Sequence, residues 1–257
     1  MIPRCITIAG SDSGGGAGIQ ADLKAFAAAG VHGTTAIVAL TAQNTREVTA
    51  VFELPPWFVR AQLDAVAGDI GLDAAKTGML FSRAIIEAVA DWLEENPLPL
   101  VVDPVMVASS GARLLEPDAV GSLVGRLFPL ATVVTPNVLE ARALLDSAAP
   151  PAELAEALVR LGAPAALVTG GHSDDPVDHL FDGKDHHEIP FERRDSAATH
   201  GAGCTHSATL AALLARGLSL LDAAQAAAVF ASRAVAHGLA EIGGGEGPVD
   251  VLGLVRR

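Results

Sequence analysis

Lysine is scarce in this chain. Only Lys24, Lys76 and Lys184 occur among 257 residues, so chemistry that needs an ammonium group has three places to happen. Basic residues as a whole are outnumbered, 17 Lys and Arg against 30 Asp and Glu, for a net charge of −13. That balance disfavours nucleic acid and anionic membranes as partners, since both require clustered Lys and Arg. Cysteine occurs only as Cys5 and Cys204, too few for a disulfide framework. No apolar run approaches the ~20 residues of a spanning helix, and Met1-Ile-Pro-Arg-Cys5 is not a charged region followed by a long apolar stretch, so no signal peptide is expected. A soluble cytoplasmic protein is expected. The common nucleotide fingerprints are missing too: no G-x-x-x-x-G-K-[ST] occurs, and Ile19 stands where G-x-G-x-x-G would close with glycine.

What is present is a large apolar fraction, 50% of residues, enough for one sizeable core. No Pro- or Ser-rich linker or charge run divides the chain, so a single domain over 1–257 is expected. Runs rich in Val and Ile at 4–9, 34–41, 74–77, 100–103, 132–135 and 165–169 read as strands. Helix-period segments fall between and after them, at 17–29, 57–70, 82–95, 117–128, 137–145, 151–161, 203–216 and 221–239. Such alternation predicts an α/β fold with a mostly parallel sheet, and the uniformly apolar strands predict helices on both faces. Two further stretches, 46–54 and 178–190, alternate like strands, the second with a hairpin signal at Asp182-Gly183.

In such folds ligands bind beyond the carboxyl ends of the strands, and most of the polar clusters fall there. Two are glycine-rich: Ala9-Gly-Ser-Asp-Ser-Gly-Gly-Gly-Ala-Gly18 and Thr199-His-Gly-Ala-Gly-Cys-Thr205. Each precedes a helix, where free N–H groups suit a phosphate, so both are expected to hold an anion. Cys204 falls in the first turn of the later helix, where the dipole favours thiolate, although most free cysteines are small buried hydrophobes. Asn137 and Glu140 share a face at a helix start, a spacing that fits either water-mediated Mg²⁺ or a simple capping box. Asp103 ends an apolar strand in a lone carboxylate, fit for metal, phosphate or a cap. Gln43 ends another with an amide able to read a heterocycle edge or merely to form a turn. The eight histidines show no metal-ligand spacing.

Taken in order, 9–24, Ala42-Gln-Asn-Thr45, Lys76-Thr-Gly-Met79, Asp103-Pro-Val-Met106, Thr135-Pro-Asn-x-x-Glu140, Gly170-Gly-His172 and 199–205 closely resemble the hydroxymethylpyrimidine/phosphomethylpyrimidine kinases of thiamine biosynthesis. These belong to the ribokinase-like superfamily, and the resemblance covers essentially the whole chain. It implies a three-layer α/β/α sandwich, Mg-ATP as donor, a homodimer, and two successive phosphorylations of one small pyrimidine. It also implies roles. Gln43, Met79, Val105 and Asp22 would contact the pyrimidine. Gly201, Ala202, Gly203 and Cys204 would form the anion hole, Cys204 standing where many relatives carry a catalytic aspartate. Asn137, Glu140, Asp103, Thr169 and Gly171 would serve ATP and Mg²⁺. Two departures stand out: Gly-Ala-Gly-Cys in place of the usual Gly-Thr-Gly-Cys, and Thr169 where many members have lysine. Both variants also occur in the related cysteine-containing pyridoxine kinases, so pyridoxine or pyridoxal is the alternative acceptor. A vitamin-binding module without activity is the alternative outside enzymes.

Overall fold

Nine strands form one sheet in the order β3-β2-β1-β4-β5-β6-β7-β8-β9. The computed structural model describes residues 1–107, 111, 114–172, 175–194 and 196–254. The strands are β1 (Arg4–Asp12), β2 (His32–Gln43), β3 (Val48–Glu53), β4 (Ala74–Thr77), β5 (Leu100–Val102), β6 (Val133–Val134), β7 (Ala166–Val168), β8 (Val177–Phe181) and β9 (His186–Pro190). The six strands from β2 to β7 pair in parallel, and antiparallel strands flank them, β3 on one side and the β8–β9 hairpin on the other. The sheet is therefore mostly parallel at its centre, as the alternation of elements predicts.

Strand parity divides the core in two. Ile6, Ile8, Ala75, Leu100, Val102 and Val134 face one side, packing with α2 (Pro56–Asp69), α3 (Arg83–Glu95), α5 (Val138–Leu145) and α6 (Pro151–Arg160). Cys5, Ala74, Val101, Val133 and Leu167 face the other, against α1 (Gly18–Ala28), α7 (Ala202–Ala215) and α8 (Leu220–Ala236). Helices thus cover both faces of the sheet, which makes the expected three layers. The period of two that sends Cys5, Ala74 and Val101 under α1 and α7 sends Thr7, Lys76 and Asp103 the same way. All three are buried.

The segment 117–128 departs from the sequence reading. It forms only the short α4 (Ala119–Ser122), a π-helical turn at Leu123–Leu127 and a 3₁₀ turn at Phe128–Leu130. Gly121 and Gly125 lower its helix propensity, and Pro129 ends it. The chain places β2 on one side of β1 and β4 on the other. In open α/β sheets such a reversal marks where ligands bind, here beyond the carboxyl ends of β1 and β4.

Candidate active site

The first glycine segment is the loop from β1 to α1, and it already contains its anion. The Asp12 carboxylate accepts the N–H groups of Gly14 (2.7 Å), Gly16 (3.0 Å) and Ala17 (2.9 Å). The His200 Nε2 lies 3.1 Å from the same carboxylate. Burial alone would raise this carboxyl, but His200 and the Ala17 and Gly14 N–H groups outweigh it and hold Asp12 below the usual range. Lys24 Nζ donates to the Gly15 carbonyl at 2.6 Å and ties the loop down from α1. The expectation that this segment binds a ligand's phosphate is therefore corrected: its converging N–H groups are spent on Asp12.

The second glycine segment is open. Gly201 caps α7 at φ 82°, in the left-handed region, and a Cβ there would overlap the Gly16 carbonyl oxygen, so only glycine fits. No side chain caps this end of α7. The Ala202 N–H turns back to the Thr199 carbonyl at 3.0 Å, whereas those of Gly203 and Cys204 have no acceptor among the described residues. A Cβ added at Gly203 would meet nothing within 4 Å. Backbone donors and the positive end of a 14-residue helix thus face free space.

Beneath that open end lies a buried ionic cluster. Lys76 Nζ sits 3.0 Å from each oxygen of Asp22 and 3.9 Å from Asp103, with Lys76 and Asp22 fully buried. Thr7 Oγ1 donates to Asp22 at 2.6 Å, and Ser207 Oγ donates to Asp103 at 2.8 Å. Burial pushes both carboxyls up, against the pull of Lys76. Burial would lower Lys76, yet the surrounding Asp22, Cys204 and Asp103 hold its ammonium above the usual range. Asp22 does not reach an exposed surface as a substrate contact would; both its oxygens are taken from inside. Lys76 is the residue that sequence reasoning passed over. Its signal was available, a lone ammonium in the otherwise uncharged strand Ala74–Thr77.

Cys204 stands over this cluster in the first turn of α7. Burial outweighs the pull of Lys76 and of the Gly18 N–H towards thiolate, with Asp22 and Asp103 adding to it, and the thiol is pushed up to about 12. Of the two readings the sequence left open, the buried one prevails over the dipole's pull. This cysteine is a neutral thiol.

Asn137 and Glu140 form a full capping box at the start of α5. Glu140 N–H donates to Asn137 Oδ1 and Asn137 N–H to Glu140 Oε2, both at 2.9 Å. Burial, and then the negative charge of Asp103, push the Glu140 carboxyl up to about 8. Thr169 bridges to Asn137 in strand fashion, and Gly171 is exposed with nothing within 4 Å of a would-be Cβ. A buried carboxylate, Asp103, that raises the proton affinity of the half-buried Glu140 makes a pair suited to a hard cation. Among the described residues no three acids, histidines or cysteines converge to hold a metal directly, so Mg²⁺ fits here only through waters and phosphate oxygens. Asp103 and Glu140 are the residues that would hold it.

Gln43 lies at the end of β2, half-buried, its Oε1 accepting Thr41 Oγ1 at 3.1 Å. With Asn44, Thr45, Arg46, His200, Gly245 and Glu246 it lines a cavity of about 330 Å³. The 243–247 loop closes this cavity from above: Gly245 and Glu246 N–H groups reach Thr45, and Thr199 Oγ1 bonds Glu246. Met79, whose carbonyl accepts the Gly10 N–H at 3.2 Å, is buried, and Val105 is half-buried after Asp103. Cys204 and Asp103 thus lie with Lys76 and Asp22 at the start of α7, with Glu140 beside Asp103, while Gln43 and His200 line the cavity at the end of β2.

An open helix start over a buried acid–lysine cluster, at the carboxyl edge of a parallel sheet, defines a phosphate-handling α/β enzyme, and comparison gives its class as a phosphotransferase. The phosphomethylpyrimidine kinase family model matches residues 12–250. A hydroxymethylpyrimidine/phosphomethylpyrimidine kinase of Rhizobium meliloti is 50% identical over 97% of each chain. Among solved structures, a phosphomethylpyrimidine kinase of Clostridium difficile superposes with a TM-score of 0.78, at 39% identity over 88% of this chain and 96% of that one. Pyridoxal kinase of Staphylococcus aureus, in complex with AMP-PCP and pyridoxal, superposes with a TM-score of 0.88, at 33% identity over 98% and 94%. The chain belongs to the phosphomethylpyrimidine kinase family.

Proposed function

We propose that this enzyme transfers the γ-phosphoryl of ATP to the hydroxymethyl group of 4-amino-5-hydroxymethyl-2-methylpyrimidine, and then a second phosphoryl to the resulting monophosphate. The observation that carries the reading is the uncapped N-terminus of α7 with a neutral thiol in its first turn. Phosphoryl transfer needs positioning and charge neutralisation more than covalent help. The N–H groups of Gly203 and Cys204, with Gly201 and Ala202 shaping the turn, receive the transferring phosphoryl. The Cys204 thiol supports the acceptor oxygen by hydrogen bonding and, being neutral, adds no repulsion when that acceptor is already a phosphate. Gln43 offers one donor and one acceptor to the aminopyrimidine edge, with Met79 and Val105 against the ring. Thr169 and Gly171 border the nucleotide. Mg²⁺, held through waters by Asp103, Glu140 and Asn137, would neutralise phosphate charge.

Pyridoxal is the second acceptor to consider, because the S. aureus relative binds it. Gln43 favours the aminopyrimidine. A coupled ADP-release assay with Mg-ATP against hydroxymethylpyrimidine, its monophosphate, pyridoxine and pyridoxal decides between them. Gln43→Leu is expected to raise KM for the pyrimidine by the equivalent of ~1–3 kcal/mol and to leave KM for ATP nearly unchanged. Equal loss for both substrates would remove Gln43 from the acceptor site.

A homodimer is also part of this reading. Leu40, Phe52, Trp57 and Phe58 are large apolar residues left exposed on and beside β2 and β3, the latter an edge strand with a free side. No helix among the described residues is long and apolar enough to cross a membrane, which agrees with a cytoplasmic enzyme.

A further inference from the structure

Asp12 is buried, lies behind the cavity wall that His200 forms, and gathers more hydrogen bonds than any group at the site. Three of its partners are backbone N–H groups of one loop; the fourth is His200, the residue immediately before the α7 cap. An ionised carboxylate only accepts hydrogen bonds, so the His200 Nε2 must carry the proton and donate. His200 is held by its backbone as well, its N–H on the Gly247 carbonyl (3.1 Å) and its carbonyl under the Val249 N–H (3.1 Å). Its ring packs so closely on Gly16 that a side chain there would collide with it, and Gly201 abuts the Gly16 carbonyl in the same way. The first glycine loop is thus a bed on which the second one lies, and Asp12 is what fixes the shape of that bed.

We propose that Asp12 is a positioning residue for phosphoryl transfer: its carboxylate fills the first glycine loop as a built-in anion and, through His200 and Gly16, sets the place and direction of the α7 N-terminus. The inference rests on the reading that this helix end receives the phosphoryl. A misplacement of the order of 1 Å costs roughly a hundredfold in rate, which is the scale of the effect expected.

The test is Asp12→Ala with and without formate, a free carboxylate of the size removed. Thermal stability, kcat, and AMP-PCP affinity by calorimetry are read for each. The expected result is a fall in kcat by roughly a hundredfold with a lesser change in KM for the pyrimidine, and recovery of kcat and of AMP-PCP affinity as formate refills the loop. Formate should do nothing to the unsubstituted enzyme. Stabilisation by formate without recovery of kcat would make Asp12 a merely structural group and overturn the proposal, as would full activity in Asp12→Ala. If Asp12→Ala does not fold, His200 decides: His200→Gln, which still presents an N–H to Asp12, should retain most activity that His200→Phe loses, and equal activity in the two overturns the coupling. An unsubstituted enzyme inactive on every pyrimidine would strike the functional reading instead. The AMP-PCP measurements would then still judge Asp12, for it or against it.

Discussion

The β1–α1 loop and the N-terminus of α7 lie against each other, both rich in glycine and both presenting backbone N–H groups. They differ in what those groups meet. In the first, Gly14, Gly16 and Ala17 converge on Asp12, a carboxylate the chain itself supplies. In the second, the donors of Gly203 and Cys204 face open space, and no side chain caps the helix. Glycine content therefore marks where a backbone can wrap an anion. Whether that anion is internal or a ligand depends on a carboxylate within reach of the loop.

The largest effect should come from the floor beneath the open segment. Lys76→Met leaves Asp22 and Asp103 buried without their cation, a change expected to cost ~3–5 kcal/mol. Denaturant unfolding measures it, and a milder double variant, Lys76→Met with Asp22→Leu, would show that the loss comes from stranded charge. A fall within experimental error would mean the cluster is neutral.

Next come the two glycines of the open segment, which should behave oppositely. Gly201→Ala forces a left-handed alanine onto the Gly16 carbonyl, costing at least ~1–2 kcal/mol and lowering activity with stability. Gly203→Ala meets nothing and gains up to ~1 kcal/mol of helix propensity, so Tm should hold or rise. Its methyl would stand where a phosphoryl belongs, and kcat/KM for ATP should fall about tenfold. A fully active Gly203→Ala would close the open segment as a phosphate site.

Cys204 sharpens the contrast through charge. Two unit charges ~4 Å apart interact by ~4 kcal/mol at an effective dielectric near 20. Cys204→Asp adds a charge beside a phosphorylated acceptor, and beside Asp22 and Asp103. It should keep much of the first phosphorylation and lose the second, whereas Cys204→Ser should affect the two steps alike. Steady-state kinetics of both steps measure this, and equal slowing by Cys204→Asp would contradict it.

The smallest effect is one of pH. Burial and Asp103 raise Glu140 from an ordinary 4.5 to about 8 in the folded protein. The native state then holds a proton that the unfolded chain has lost, so this group's contribution to stability falls as pH rises from about 4.5 through about 8. Thermal melts from pH 5 to pH 9 should show a smaller decline for Glu140→Gln than for the unsubstituted enzyme. Parallel curves would mean Glu140 is not buried as a proton carrier.

Much of this site was legible in the sequence, for identifiable reasons. Strand ends are marked by a change from Val and Ile to polar residues, so Gln43, Asp103 and Lys76-Thr-Gly-Met79 could be placed at one edge of a sheet. Asn137 and Glu140 were legible as a pair because a capping box is a local pattern; the raised proton affinity of Glu140 depends on Asp103, which local sequence does not relate to it. The helix-start argument for a Cys204 thiolate failed because it counts a local dipole and omits burial and two distant carboxylates. Asp12 was hidden for the same reason, since its decisive partner, His200, lies 188 residues away.

The amide resonances of the two segments test the central claim most directly. On titrating ¹⁵N-labelled enzyme with Mg²⁺ and AMP-PCP, Gly203 and Cys204 should show the largest shifts among the glycine-rich residues, while Gly14, Gly16 and Ala17, already bonded to Asp12, should move little. Large shifts in Gly14, Gly16 and Ala17 with Gly203 and Cys204 unmoved would contradict the account.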